Sequence, residues 1–301
     1  MTLSLDPLST EPSGAPKGVE VGPDATPSAA RRSISRSMLL GMLPATVILA
    51  VALIGPFFLP YSTRDVVGLP DISPGGEHWF GTDSAGLDVF SRTVAATRNN
   101  LMIGLLTTVA ATALGIFLGL IIGMNESQRG PIGLVARGFS RALDLMQAVP
   151  AIVIGLVLIA FFGSSVLSIT VALTVVLLPN QARLVRTEVL RVRGEAFLDA
   201  ARISGEREWA LIIRHVLPNS SWPALENASL VFGSAIVLTA GLGFLGVGLQ
   251  PPTPEWGTMI SSGASSAAAG RWWSALFPAV AIAITVFAIS AVGRRLFDRD
   301  N

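Results

Sequence analysis

Long apolar stretches, separated by polar and glycine- or proline-containing segments, dominate the sequence. Most of them approach the roughly 20 residues that an α-helix needs to cross the hydrocarbon core of a bilayer. The pattern therefore predicts an all-α integral membrane protein with six transmembrane helices. The predicted spans lie at about 38–59, 101–124, 142–162, 165–178, 224–249 and 273–292.

The basic residues are distributed unevenly between the two sides that these six spans define. Seventeen of the 21 Lys and Arg residues fall in the two terminal segments, the stretch between spans two and three, and the stretch between spans four and five. Only four lie on the other side. Because Lys and Arg concentrate on the cytoplasmic side of membrane proteins, the sequence predicts a multi-pass protein with both termini in the cytoplasm.

The segments around the spans predict four parts of the chain. Residues 1–37, rich in Pro, Gly, Ser and Thr, predict a disordered cytoplasmic tail. Residues 38–97 would hold the first span and an extracytoplasmic loop, 98–295 a core with five spans, and 296–301 a cytoplasmic tail. A signal peptide is the alternative for the first span, but its apolar region would be only about 7–15 residues long, so we favour an uncleaved helix.

The composition agrees with a membrane protein and narrows the possible chemistry. The 301 residues are 51% hydrophobic and 14% charged, with a mean hydropathy of +0.61. A soluble domain needs more charge to cover its surface, and a net charge of +1 gives no indication of a nucleic-acid partner. With no cysteine and two histidines distant in sequence, His78 and His215, no metal site is expected.

The stretch between spans four and five, residues 181–219, is the longest on the predicted cytoplasmic side. Its apolar residues recur at helical spacing before and after Gly205, so we expect a helix, a break at the glycine, a second short helix, and a helix end at Pro218. Apolar residues among charges suggest a surface that docks a soluble partner. An amphipathic segment resting on lipid is the alternative.

Within this stretch, Asp199-Ala200-Ala201, then Gly205, then Leu217-Pro218 resembles the EAA loop of ABC importer permeases. The resemblance implies a type I permease fold and a short helix that seats in a cleft of an ATPase subunit. Asp199 replaces the usual Glu, and His215 stands where many members have Ile. The implied ATPase-docking residues are Asp199, Ala200, Ala201, Gly205, Glu206, Trp209, His215, Leu217 and Pro218.

Two further stretches resemble the dipeptide/oligopeptide/nickel branch of these permeases. Residues 80–92 are similar to its Gly-Thr-Asp…Gly-Arg-Asp…Ser-Arg signature, with Leu87 in place of Arg, and favour the "C"-type subunit. Residues 244–257 are similar to its Pro-Pro-x-Pro-x-Trp-Gly signature. The implied loop residues, structural or facing a binding protein, are Gly81, Thr82, Asp83, Gly86, Asp88, Arg92, Pro252, Pro254, Trp256 and Gly257.

Glycines inside the apolar stretches predict close helix packing. Gly115, Gly119 and Gly123 fall on one helix face at a spacing typical of helix–helix contacts. Gly246 and Gly248 are interpreted in the same way. The GxGxxG pattern that ends at Gly246 lies in a predicted span rather than in a βαβ unit, so it does not predict a dinucleotide site.

Taken together, the resemblance implies a non-catalytic permease subunit in the inner membrane of a prokaryote. A homologous permease would complete a heterodimer, two ATPase subunits would bind ATP and magnesium, and an extracytoplasmic binding protein would deliver a peptide. The chain itself should hold no cofactor, since its single lysine, Lys17, does not lie in a phosphate-binding loop. Import of nickel or metal chelates, a secondary transporter and a membrane enzyme are the alternatives.

Overall fold

The computed structural model describes residues 36–297, with side chains over residues 42–295. This part of the chain is all-helical, with an isolated bridge between Thr82 and Asp88 and no other β-pairing. The predicted tails lie almost entirely outside it. The helices are α1 Arg36–Ile54, α2 Val89–Asn125, α3 Pro131–Met146, α4 Ala151–Phe162, α5 Val166–Val192, α6 Ala196–Ile203, α7 Glu208–Leu211, α8 Leu217–Glu226, α9 Ala228–Phe244, α10 Trp256–Ala268 and α11 Trp273–Phe297.

Within the described residues, three unbroken helices are long and apolar enough to cross a bilayer: α2, α5 and α11. Two bent pairs pass the same test, α3 with α4 and the α7–α8 segment with α9. The apolar stretch Met42–Phe57, which covers most of α1 and the 3-10 turn Gly55–Phe57 after it, is shorter. The membrane-spanning character predicted from the sequence is confirmed, while the number of six spans stays a prediction.

Helices α2 and α5 pack against each other in parallel, along a ridge of three glycines on α2. A Cβ atom built on Gly115 would meet Gln181 and Ala182, and one built on Gly119 would lie 2.6 Å from the carbonyl oxygen of Ala182. A Cβ atom on Gly123 would lie 2.7 Å from Val189. The glycines therefore let the two backbones approach directly.

The helices run between two ends of the bundle, and each end is marked by a contact between helices or loops. At one end, which we call the loop end, the indole nitrogen of Trp273 donates to the carbonyl oxygen of Thr82 (3.0 Å). At the opposite end, which we call the segment end, Arg193 donates to the carbonyl oxygen of Gly123 (2.9 Å). A Cβ atom on Gly293 would collide with Ser229 near the segment end, so α9 and α11 run antiparallel.

Several predicted boundaries are wrong. The second span begins at Val89, because Asp88 caps the helix by accepting from the Ser91 N–H (2.8 Å), so the predicted domain boundary at 97/98 falls inside α2. The fourth span continues through Pro179 to Val192, far beyond residue 178. The predicted loop at 249–272 contains the helix α10. These helical stretches carry polar side chains, so the sequence pattern did not predict them, although they pack against other helices.

The third predicted span is interrupted. α3 and α4 are bent by 98° around residues 147–150. Pro150 carries no N–H and disfavours helical backbone at the residue before it, which explains why a continuously apolar stretch breaks here. α3 lies beside the last turns of α2, whereas Gly155 of α4 lies against Leu242 near the far end of α9. The two helices of the pair therefore pack on different parts of the bundle.

Candidate functional site

At the segment end, the residues between α5 and α9 form two helices joined by a turn. α6 ends in a turn in which the Gly205 N–H donates to the Arg202 carbonyl (3.0 Å) and the Glu206 N–H to the Ala201 carbonyl (3.2 Å). Gly205 has a φ of +84°, in the left-handed region that glycine adopts without strain. Gly205 therefore separates two helices, as the sequence pattern indicates.

α6 packs through buried Leu198 and half-buried Ala201, and its other side chains are exposed. Leu198 is buried against Val189 and Leu211, which anchors the helix on the end of α5. The segment also carries large apolar side chains that are exposed to solvent. We call these four residues the apolar patch: Phe197, Ile203, Trp209 and Ile213. Ile203 is 87% exposed.

Ion pairs link the two helices of the segment. Arg202 pairs with Asp199 of its own helix (2.9 Å) and with Glu208 of α7 (3.2 Å). Glu206 lies between Arg214 (3.4 Å) and His215 (3.2 Å). Exposed pairs of this kind each contribute little to stability.

The expectation that Pro218 ends the second helix is wrong. The helix passes through a π-helical turn, Ile212–Val216, and continues as α8 to Glu226. Pro218 offers no N–H to the preceding turn, and the wider π turn shifts the hydrogen-bond pattern there. The Asn219 side chain donates to the carbonyl of His215 (2.7 Å). The segment is thereby joined to α9 by continuous helix with a bend of 43° near Asn227.

At the loop end, the residues of the first loop signature support one another. The Thr82 hydroxyl donates to the Leu69 carbonyl (2.7 Å) and accepts from the Ile72 N–H (2.8 Å). Asp83 accepts from the N–H groups of Ala85 and Leu87 (both 2.9 Å). These bonds close the loop over the start of α2.

Buried charges hold the same loop on α2. Asp88 caps the helix and also pairs with His78 (2.9 Å), and both side chains are buried. Arg92 donates to the Thr63 carbonyl (3.0 Å). Gly81 and Gly86 both have positive φ, +74° and +76°, and a Cβ atom on either would collide with a backbone carbonyl.

The second loop signature packs against the first part of α2. Buried Trp256 donates to the Thr93 carbonyl (3.0 Å), and the Pro254 carbonyl accepts from Asn99 (2.9 Å). Gly257 lies on the backbone of Ala240 of α9, where no Cβ atom would fit. This signature joins α2, α9 and α10.

Similarity to known proteins agrees with this geometry. Residues 115–299 match the family described as binding-protein-dependent transport system inner membrane component. The di/tripeptide transport system permease protein DppC of Pseudomonas aeruginosa is 35% identical over 265 residues, 86% of this chain and 85% of the relative. The dipeptide transport system permease protein DppC of Alkalihalophilus pseudofirmus is 37% identical over 225 residues, 75% and 72% of the two chains.

A glutathione transport system permease protein, GsiD of Pectobacterium atrosepticum, is 32% identical over 253 residues, 83% of this chain and 82% of the relative. The chain belongs to the family of binding-protein-dependent transport system inner membrane components. It is a transport-system permease with the type I ABC permease fold, as the sequence predicted.

The permease keeps the residues of each predicted site together. The residues expected to dock an ATPase all lie in the α6–α8 segment: Asp199, Ala200, Gly205, Trp209 and Pro218 are exposed, while Ala201, Glu206, His215 and Leu217 are half-buried. The two loop signatures meet at the opposite end of the permease. In the residues with described side chains, no group of three or more His, Asp or Glu residues is placed to hold a metal ion.

The interpretation of Gly246 as a helix-packing residue is wrong. Gly246 follows the end of α9 with a φ of +86°, and a Cβ atom there would meet nothing within 4 Å. It ends the helix in the same type of turn as Gly205. Gly248 does lie in a close approach, since a Cβ atom would fall 3.0 Å from the Glu255 carboxylate.

Two buried polar residues of the permease escaped the sequence analysis. Glu255 caps α10 by accepting from the N–H groups of Gly257 (2.7 Å) and Thr258 (2.9 Å). Burial raises the pKa of the Glu255 carboxyl to about 7, although these two donors lower it. Gln181 is fully buried at the crossing of α2, α5 and α8. Nothing in a single sequence separates these two from other polar residues beside apolar ones.

Proposed function

We propose that the permease forms half of the translocation pathway of an ATP-driven importer for short peptides. The proposal is carried by the exposed helix–glycine–helix segment at one end of a bundle that holds the two loop signatures at the other. Relatives named as dipeptide, di/tripeptide and glutathione permeases support a peptide as substrate.

In this proposal the segment end faces the cytoplasm and receives an ATPase subunit. Trp209 and Ile203 of the apolar patch would enter a cleft of the ATPase, and burying their apolar surface would stabilise the complex. Two ATPase subunits would bind ATP and magnesium, so the permease would be non-catalytic. The bend between α8 and α9 would transmit closure of the ATPases to the membrane.

The loop end would face the extracytoplasmic binding protein, and a second, homologous permease would complete the pathway. Both termini would then lie in the cytoplasm of a prokaryotic cell. Import of a nickel or metal chelate is the second candidate within the same family. The names of the relatives, which are permeases for dipeptides, di/tripeptides and glutathione, favour the peptide.

The experiment compares two tryptophans of equal exposure at opposite ends of the permease. Trp209 and Trp79 are both 61% exposed. The permease would be co-expressed with its second permease, ATPases and binding protein, then purified and reconstituted into vesicles. We expect Trp209→Ala to lower ATPase co-purification and peptide uptake at least tenfold, because hot-spot tryptophans carry much of an interface's binding energy.

Trp79→Ala is the matched control, because it removes the same side chain at the end away from the ATPases. It should retain the ATPase subunits. If the Trp209→Ala complex keeps its ATPase and its uptake, the segment is not the coupling surface. If the wild-type complex imports no peptide with its binding protein present, the peptide assignment is wrong.

A further inference from the structure

Helix α3 presents faces of different character. One face carries small, buried residues: Gly133, Ala136 and Ser140. Beside it, a second face carries large apolar side chains that are 58–60% exposed: Ile132, Val135 and Phe139. The face opposite the apolar one, at 3.6 residues per turn, carries the charged residues of the helix: Arg137, Arg141 and Asp144. An exposed apolar face opposite a charged one is typical of helices at a membrane surface.

A groove of about 480 Å³ lies between the exposed apolar face of α3 and the last two turns of α2. Its wall on α2 is formed by Leu118, Ile121 and Ile122. Asn125 and Pro131 line it where the two helices are joined, and the Asn125 amide already donates to the Ile121 carbonyl (2.7 Å). The groove therefore offers apolar walls to an apolar ligand, and its volume falls in the range of small-ligand sites, about 300–1,000 Å³.

The groove continues onto the exposed apolar side of a membrane helix. α2 is long and apolar enough to cross the bilayer. On it, Leu114, Phe117 and Ile121 follow one another at helical spacing and are 43–58% exposed. Ile121 lines the groove, and the other two continue its apolar surface for about 10 Å toward the loop end. An elongated apolar chain can therefore extend from the groove along α2.

Charged groups mark the segment end of the groove. Arg137 donates to the carbonyls of Glu126 (2.8 Å) and Gln128 (3.3 Å). Asp144 lies 3.9 Å from Arg186, whose guanidinium also binds the Glu126 carboxylate (2.7 Å). Because charged residues are rare within membrane spans, this end of the groove lies toward the membrane surface.

The turn after α2 and helix α3 carry more positive than negative charge. Residues 126–146 include three arginines and two carboxylates, and both carboxylates already pair with arginines of α5. Arg129, two residues before Pro131 of the groove, is exposed, as is Arg141. Within the described part of the chain, neither of these two arginines has a hydrogen-bond or ion-pair partner. The mouth of the groove is therefore complementary to a negative charge.

The two parts of this surface together select an occupant. An acyl chain can fill the groove through packing contacts with its apolar walls. A phosphate group at the mouth can accept hydrogen bonds from the forked guanidinium of Arg129. A zwitterionic lipid would bring its own positive charge close to the same arginine. An anionic phospholipid therefore matches both the groove and its mouth.

We propose that the groove between α2 and α3 binds an anionic phospholipid, with an acyl chain between Ile121 and Val135 and the headgroup phosphate at Arg129. Basic pockets between membrane helices on the cytoplasmic side are suited to such headgroups. The bound lipid would hold α3 against the end of α2. This site goes beyond the proposed function, because it involves neither the peptide nor the ATPase.

The test uses the purified complex of the permease with its second permease and ATPases in detergent. Phosphatidylglycerol and phosphatidylcholine with identical acyl chains are the probes, and native mass spectrometry counts the lipids retained. We expect the wild type to prefer phosphatidylglycerol. Arg129→Gln should weaken the binding of one phosphatidylglycerol about fivefold, the effect of one basic residue near an anionic surface. Arg64→Gln, which removes an exposed arginine at the loop end, should bind as wild type does.

A second pair of variants tests the groove itself. Val135 and Leu134 are neighbours on α3 and are 58% and 66% exposed, but only Val135 lines the groove. Val135→Trp should fill the groove and abolish the retention of this phosphatidylglycerol. Leu134→Trp adds the same indole to another face of the helix and should retain the lipid. General damage to α3 would affect both variants alike.

The inference is overturned if the wild type prefers neither lipid, or if either Arg129→Gln or Val135→Trp binds phosphatidylglycerol as the wild type does. Loss of the second permease from the Val135→Trp complex would instead assign the groove to the interface between the two permeases. Lipid retention is measured without transport. A complex that imports no peptide would therefore refute the proposed function and leave the lipid result standing.

Discussion

At the scale of single residues, burial and helix capping shift the pKa of the Glu255 carboxyl in opposite directions. Its two backbone donors favour the ionised form, while its complete burial disfavours it. Burial has the larger effect, and the pKa rises to about 7. The folded permease therefore keeps a proton that the unfolded chain releases near pH 4.5.

This difference fixes the sign of a pH dependence. Since the folded state binds more protons between about pH 4.5 and 7, stability should fall as the pH rises through that range and then level off. The full effect is about 3 kcal/mol. We expect Glu255→Gln to remove this part of the pH dependence, so that its melting temperature exceeds that of wild type more at pH 8 than at pH 5.

Glu77→Gln provides the control, because Glu77 is an exposed carboxylate at the same end. The comparison uses the purified complex in detergent. A Glu255→Gln profile parallel to that of wild type would show that the buried carboxyl is ionised throughout this range.

The role of a single residue was predicted correctly where the backbone geometry requires a particular residue type. Gly205 was identified because a glycine between two amphipathic stretches predicts a positive φ, and the structure has it. Glu255 and Gln181 were missed because burial of a polar side chain depends on helices distant in sequence. The misassignment of Gly246 has the same origin, since a glycine at a helix end and one inside a helix contact look alike in sequence.

At the scale of secondary-structure elements, the α2–α5 contact depends on the absence of side chains. A Cβ atom at Gly119 would lie 2.7 Å from Cβ of Val185, closer than such atoms approach in proteins. Gly138 on α3 is also in a helix, but a Cβ atom there would meet nothing within 4 Å. The chain thus offers two helical glycines with opposite surroundings.

Gly119→Ala should force α2 and α5 apart and destabilise the permease by about 1–3 kcal/mol. Gly138→Ala should be neutral or stabilising by up to about 1 kcal/mol, because alanine favours helix over glycine. Thermal unfolding of the two purified variants measures the difference. Equal melting temperatures would mean that the helices are not in contact at this ridge.

Hydropathy predicted that the chain crosses the membrane but not how each helix runs. An apolar stretch indicates that its residues lie in apolar surroundings, but it does not indicate the direction of the helix axis. The 98° bend in the third span therefore could not be predicted from hydropathy. The polar stretch after residue 178 was assigned to a loop for the converse reason. There, helix α5 continues because its apolar face packs on α2 and α6.

At the scale of the whole molecule, Gln181 joins the segment end to the membrane core. Its amide nitrogen donates to the Thr112 hydroxyl (2.8 Å) and the Ala224 carbonyl (3.1 Å), and its oxygen accepts from Asn227 (3.1 Å). These partners belong to α2, to α8 and to the bend before α9. One buried side chain therefore fixes the bend through which the proposed coupling would pass.

Gln181→Leu should leave these partners buried without hydrogen bonds, which costs about 1–3 kcal/mol for each unsatisfied group. We expect a lower melting temperature and fewer peptides imported per ATP hydrolysed, because the bend is no longer fixed. Thr112→Ser keeps the hydroxyl and should behave as wild type in both measurements. A Gln181→Leu complex with an unchanged peptide-to-ATP ratio would exclude Gln181 from coupling.

The parallel α2–α5 pair has a mechanical consequence. α2 has 37 residues, about 55 Å at 1.5 Å per residue, and it begins under the loop signatures and ends beside the α6 segment. Held close to α5 along its three glycines, it would act as a lever arm. A rotation of about 5° at one end would displace the other by about 5 Å over that length. A small rotation on one side of the membrane would therefore become a large displacement on the other.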